Sequence, residues 1–214
     1  MEKVKVIIPS VIAERQEQLD VLVEKLSKGA EWLHLDIMDG KFVGNRSLNF
    51  DFKLPKKGCR FEAHLMVTEP AAMVERLWKK VDAIIFHAEA TKNQKEAAEI
   101  IGLIKSKNLK AGIAINPPTP VGKIKGLLDI IDQALIMTVT PGDYGNPFEP
   151  DTVHKIRDIR KLKPGLDIEA DGGINPQTIG LVSRAGANRF VVGSYLVQAE
   201  DVKQAVEVLQ ASLE

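Results

Sequence analysis

The feature that most constrains this chain is a regular alternation. Eight short apolar runs are each followed by a longer segment that is mostly patterned with a helical period. The runs fall at 4–9, 32–40, 60–67, 83–88, 110–116, 134–140, 167–170 and 190–192. Helices are expected at 16–28, 70–80, 94–107, 121–128, 151–162, 176–185 and 201–213, and the polar stretch 41–53 holds a short helix or a mobile loop. Parallel strands need crossovers of this length, and eight such units without an intervening linker predict a closed parallel (β/α)8 TIM barrel, one α/β domain over 1–214. An open doubly wound sheet would need a glycine-rich turn after the first strand. Pro9-Ser10-Val11-Ile12 is not one.

Composition removes several classes of function. Lysines plus arginines number 29 and so do aspartates plus glutamates, so no net field favours nucleic acid or an anionic membrane. The single cysteine, Cys59, excludes a disulfide framework and suits a reducing cytoplasm. No apolar run approaches the ~18 residues of a membrane span, and the N-terminus moves straight into a strand pattern without a signal-peptide core. A cytoplasmic, soluble protein is the expectation.

Chemistry concentrates in Trp32-Leu33-His34-Leu35-Asp36-Ile37-Met38-Asp39-Gly40. Alternation places His34, Asp36 and Met38 on one strand face, and burying an imidazole and a carboxylate together is costly unless something pairs them. In a TIM barrel the reacting groups lie at the C-terminal strand ends. That rule gathers Ser10, His34, Asp36, Met38, His64, Met66, His87, Asn116, Met137 and Asp171 at one rim, and leaves His154 on a helix surface. One histidine at a strand end is ordinarily a hydrogen-bonded structural residue. Two histidines and two aspartates converging on one mouth instead suit a divalent ion such as Zn²⁺, Fe²⁺, Mn²⁺ or Co²⁺, and the nitrogen ligands disfavour Mg²⁺ and Ca²⁺. The methionines serve as core packing or as an apolar lid. Glycines in three successive loops (Gly142 and Gly145, Gly172 and Gly173, Gly193 beside Ser194) can free backbone amides to cradle a phosphate.

These residues resemble the ribulose-phosphate 3-epimerase family. The likeness is carried by Pro9-Ser10, His34-Leu35-Asp36-Ile37-Met38-Asp39-Gly40 with Phe42-Val43, and His64-Leu65-Met66-Val67. It continues through Phe86-His87, Asn116-Pro117, Met137-Thr138-Val139 with Pro141-Gly142, Asp171-Gly172-Gly173 and Gly193-Ser194, in family order. The resemblance implies one divalent metal ion on His34, Asp36, His64 and Asp171, with Asp36 and Asp171 also the catalytic acid/base pair. It implies inversion of C3 of D-ribulose 5-phosphate to D-xylulose 5-phosphate through a metal-stabilised ene-diolate, and a homo-oligomer. Ser10, Met38, His64, Met66, Met137 and the loop residues named above would then meet the substrate.

Two places depart from the family pattern. Gly142-Asp143-Tyr144-Gly145-Asn146 stands where the family usually has Gly-Phe-Gly-Gly-Gln, and Val43-Gly44-Asn45 where it tends to have Val-Pro-Asn. Asp143 must point away from a bound phosphate, because like charges ~4 Å apart cost ~1–4 kcal/mol. The alternatives are an epimerase of another ketose, such as a ketohexose 6-phosphate or an unphosphorylated sugar, and a non-catalytic sugar-phosphate-binding barrel. Decarboxylases of similar architecture use Asp-x-Lys-x-x-Asp, and residues 34–39 contain no lysine.

Overall fold

A computed structural model describes residues 3–55 and 58–213. Nine strands are present among them: β1 (Val6–Val11), β2 (Trp32–Asp39), β3 (Arg46–Ser47), β4 (Arg60–Met66), β5 (Ala83–His87), β6 (Lys110–Ile115), β7 (Gln133–Met137), β8 (Asp167–Asp171) and β9 (Arg189–Val192). All but β3 are parallel to their neighbours, and pairing of β1 with both β9 and β2 closes the eight into a barrel. The helices α1 (Gln16–Leu26), α2 (Pro70–Leu77), α3 (Gln94–Ser106), α4 (Val153–Leu162), α5 (Ile179–Ala185), α6 (Ser194–Val197) and α7 (Val202–Ala211) complete the described regular helices. The predicted (β/α)8 architecture is the one observed.

The long-period strands owe their place to burial on both faces. Leu33, Leu35 and Ile37 of β2, like Phe61, Ala63 and Leu65 of β4, join the main hydrophobic core. The alternate positions line the barrel interior, as parallel strands under a helical layer require.

Several boundaries differ from expectation, each for a local reason. β1 starts and ends two residues later than predicted, and Pro9 does not stop it. The ladder to β9 runs from Val6 to Pro9, and pairing to β2 takes over at Ser10 and Val11. The segment 41–53 forms no helix. Its Arg46–Ser47 strand runs antiparallel to the end of β2, the Ser47 hydroxyl accepts from Ala13 N–H at 3.0 Å, and Leu48 and Phe52 are buried. The helix expected at 121–128 is instead two 3₁₀ turns, Val121–Lys123 and Lys125–Leu127. Gly122 and Gly126 account for this, since glycine raises the entropy cost of so short a helix. The run at 134–140 is a strand only to Met137, whose pairing with Asp171 is closed by the last ladder bond, from Thr138 N–H to the Asp171 carbonyl at 2.7 Å. No helix among the described residues is long and apolar enough to cross a membrane.

Candidate active site

Register builds the site. β2 and β4 pair Asp36 with His64, one level above His34 with Glu62. β8 and β9 pair Glu169 with Arg189, two residues below Asp171. Because successive inward side chains occupy successive levels, the interior holds an upper polar level of Asp36, His64 and Asp171. Directly beneath lies a second level of Glu62, Glu169 and Arg189, with His34 between the two. All seven are buried. Thr138 helps to fix Asp171, its hydroxyl donating to the Asp171 carbonyl at 2.9 Å.

Ligand atoms of His34, Asp36, His64 and Asp171 lie within 4.8 Å of one another. His64 Nδ1 is 3.1 Å from Asp36 Oδ1 and 3.4 Å from Asp171 Oδ2. His34 Nε2 is 3.5 Å from Asp36 Oδ1 and 3.8 Å from Asp171 Oδ2, and this buried nitrogen has no hydrogen-bond partner. An orphaned nitrogen facing two carboxylates is costly by itself and fits a cation held among them.

Each imidazole is held from behind. Glu62 Oε1 lies 2.7 Å from His34 Nδ1. His64 Nε2 lies 2.8 Å from His87 Nε2, and His87 Nδ1 lies 3.4 Å from Glu89 Oε2. Glu89 in turn accepts from Asn116 N–H at 2.8 Å and from the Thr119 hydroxyl. Burial pushes His87 down to about 4, against the pull of Glu89, so it stays neutral and can accept from His64.

The two aspartates are driven apart electrically. Burial opposes ionisation of Asp36, but the imidazoles of His34 and His64 that face it overcome this and hold the carboxyl below its ordinary value. Asp171 is raised to about 6, by burial first and by the Asp36 charge second. Burial would lower His34, yet the facing carboxylates of Asp36 and Glu62 raise it well above the usual imidazole range. Glu169 is raised to about 8 by burial and by the neighbouring Glu62 charge.

Above the cluster is a small cavity of about 50 Å³, room for a few water molecules at most. Ser10, Met38, Met66, Met137, Gly142, Gly145, Gly172, Gly173, Gly193 and Ser194 all line it, together with Asp36 and Asp171. His64 does not reach it; the ring is fully buried beside the aspartates. A larger cleft, of about 980 Å³, lies around the start of β4 and contains none of these groups. His154 is exposed on α4, as its position predicts.

The cavity is small because Tyr144 leans over it. Its hydroxyl donates to the Ser10 carbonyl at 2.9 Å and accepts from Ile12 N–H at 3.0 Å. The ring packs so close to Gly193 that a Cβ there would stand 2.6 Å from it. Gly172 is fixed by a different constraint, a φ of +109° with Val139 where a side chain would go. Asp143 is exposed, and its Oδ1 accepts from Asn45 Nδ2 at 2.8 Å while the same amide donates to the Gly142 carbonyl at 3.1 Å. The two loops that depart from the family pattern therefore touch each other.

Sequence reasoning missed Glu62, Glu169 and Arg189. The first two stand two residues before His64 and Asp171, so the same-face rule that joined His34 to Asp36 could have found them. Arg189 offered less, since a charged residue before a three-residue apolar run reads as loop.

Fold and site together define an enzyme of the (β/α)8 barrel class, with its polar groups gathered at the C-terminal mouth. A model of the ribulose-phosphate 3 epimerase family matches residues 6–197. The chain is 37% identical to the ribulose-phosphate 3-epimerase of Eremothecium gossypii, over 96% of this chain and 91% of that one. It is 34% identical to the Bacillus subtilis enzyme of that name, over 96% and 98%. The chain belongs to the ribulose-phosphate 3-epimerase family, a family of isomerases. Among solved structures, 3-keto-L-gulonate-6-phosphate decarboxylase from Vibrio cholerae superposes with a TM-score of 0.75 at 16% identity, covering 99% of this chain and 98% of that one. That likeness is one of fold.

Proposed function

We propose that residues 1–214 act as one barrel domain that inverts C3 of D-ribulose 5-phosphate to give D-xylulose 5-phosphate. The observation that carries this reading is the convergence of two unequal carboxylates, from β2 and β8, on His64 Nδ1 at 3.1 and 3.4 Å. Inversion beside a ketone needs a base on one face of the carbon and an acid on the other. Groups whose environments push their pKa values apart fill those roles. Asp36, held ionised, takes the C3 proton, and Asp171, raised to about 6, returns one to the opposite face. In the reverse direction the two exchange tasks.

His34, through Nε2, and His64, through Nδ1, join both aspartates as the ligands of one divalent cation: zinc, iron, manganese or cobalt. When bound, such a cation supplies positive charge to the substrate oxygen on which negative charge develops. Met38, Met66 and Met137 exclude water from the reacting carbon, and Ser10 offers a hydroxyl to the sugar. The backbone around Gly142, Gly145, Gly172, Gly173, Gly193 and Ser194 receives the phosphate. Assembly into a homo-oligomer and a cytoplasmic location belong to the same proposal, and light scattering after gel filtration tests the first.

The decisive experiment is incubation of metal-analysed protein with D-ribulose 5-phosphate in D₂O, with C3 followed by NMR. Solvent deuterium entering at C3 of the product supports the reading, and its absence returns the chain to a sugar-phosphate-binding barrel. The Tyr144 ring above Gly193 favours a second reading, in which the substrate is a ketose lacking a phosphate. Comparison of kcat/KM for phosphorylated and unphosphorylated ketoses separates the two.

A further inference from the structure

The lower polar level holds a side chain that the epimerisation does not use. Arg189 lies inside the barrel on β9, where its guanidinium stacks 5.1 Å above the Trp32 ring. Nη2 donates to Glu62 Oε2, and Nε donates to Glu169 Oε2 at 2.8 Å. A buried cation between two buried carboxylates can be simple charge compensation. The free oxygens of the two glutamates are not equivalent, however. Glu62 Oε1 is on His34 Nδ1 at 2.7 Å, whereas Glu169 Oε1 is 3.5 Å from that nitrogen and has no hydrogen-bond partner.

We propose that Arg189 is a positioning residue: by gripping one oxygen of Glu62 it presents the other to His34 Nδ1–H, and so leaves Nε2 as the nitrogen that faces Asp36 and Asp171. A neutral imidazole carries one N–H, and whichever nitrogen holds it cannot bind a cation. Glu62 decides the matter only if it remains an acceptor toward His34. Arg189, a donor alone, ensures that, because it occupies the other oxygen and can turn no acceptor toward the carboxylate. Glu169 accepts from Arg189 Nε through one oxygen and makes no hydrogen bond to His34 with the other. This inference rests on the ligand set proposed above and adds what aims one member of it.

The amide in Glu62→Gln cannot serve both neighbours as the carboxylate does. With its single oxygen turned to Arg189, its NH₂ faces His34 and demands the proton at Nε2. The experiment measures Co²⁺ binding to metal-free protein by competition with a chelator, with visible absorption reporting the coordination. Failure of the wild-type protein to bind one Co²⁺ would remove the proposed ligand set itself. Given wild-type binding, Glu62→Gln is expected to weaken Co²⁺ by about 10–100-fold, the usual effect of losing the partner that orients a ligand. Glu169→Gln should stay within about threefold of wild type by the same geometry. Arg189→Gln should resemble Glu62→Gln, and Arg189→Lys should recover most of the affinity, since a cation again faces the carboxylate. Should Arg189→Gln not fold, the pair of glutamate variants, each checked by circular dichroism, decides alone. Wild-type affinity in folded Glu62→Gln, or equal losses in the two glutamate variants, overturns the proposal.

Discussion

The two sides of the barrel interior are built on opposite terms. β5, β6 and β7 contribute Ile85, Ala114, Leu135 and Met137, a dry cluster continued by Val139. Apart from His87 and Gln133, that side carries no buried polar side chain on these strands. β2, β4, β8 and β9 contribute His34, Asp36, Glu62, His64, Glu169, Asp171 and Arg189, every one buried. Apolar filling gains stability with each methylene that leaves water. The charged side does the reverse: burial penalises each group, and only mutual pairing holds it in place. One side supports the fold and the other holds a constellation that an apolar core would never need.

That contrast can be broken most sharply at the aspartates. Asp36→Asn and Asp171→Asn should each lower kcat by about 10²–10⁴-fold or more while leaving the fold intact. Deuterium incorporation at C3 and circular dichroism check the two halves of this expectation. Normal solvent exchange in either variant would defeat the two-base assignment.

On the dry side, Leu135→Ala should lose about 2–5 kcal/mol of stability in urea unfolding. In the protein that remains folded, Co²⁺ affinity should be unchanged, because Leu135 belongs to the apolar cluster and not to the proposed ligand set. Saturating divalent cation should favour the polar side alone. At a hundred times its dissociation constant the folded state gains ~2.7 kcal/mol, seen as a rise in Tm that a chelator reverses.

The pH dependence sharpens the comparison further. Glu169 and Asp171 titrate in the folded protein at about 8 and about 6, above their unfolded values. Their stabilising contribution is complete only below the unfolded values of 4.5 and 3.8 and drains away as pH rises from there through the folded ones. Raised His34 acts in the same direction, losing its contribution as pH rises. Asp36, depressed, contributes above its unfolded value of 3.8 and loses that as pH falls. Metal-free protein should therefore have its highest Tm near pH 4 and decline toward pH 9. Glu169→Gln should flatten the decline, and a flat wild-type profile would contradict the charges assigned to this level. The smallest effect is expected at the mouth. Tyr144→Phe removes one donated and one accepted hydrogen bond that compete with substrate entry, so KM should fall about two- to tenfold with kcat little changed. A rise in KM would make the phenol a substrate ligand instead.

What the sequence disclosed follows the same division. The period-two pattern of 32–38 placed His34, Asp36 and Met38 on one face, and the structure has all three inside the barrel wall. The Asp39-Gly40 turn was equally legible, with Asp39 accepting from Lys41, Phe42 and Thr68 backbone amides at 2.8 Å. Partnerships across strands were not. Nothing local to Glu62 announces Arg189, which lies 127 residues away, since their meeting depends on closure of the whole ring. The loops failed for a related reason. Residues 46–47 are extended because β2 and Ala13 supply partners, and no propensity of their own would have chosen that state.

The contact of Tyr144 with Gly193 carries a consequence for how such a barrel can change over time. An aromatic ring at one position and a methyl group at the other exclude each other, so neither site drifts independently. A lineage that gains any side chain at 193 must first withdraw the ring and reopen the vestibule above the aspartates. The room above the aspartates is then governed by a pair of positions in different loops, and a screen that varies either alone would overlook half of the available solutions.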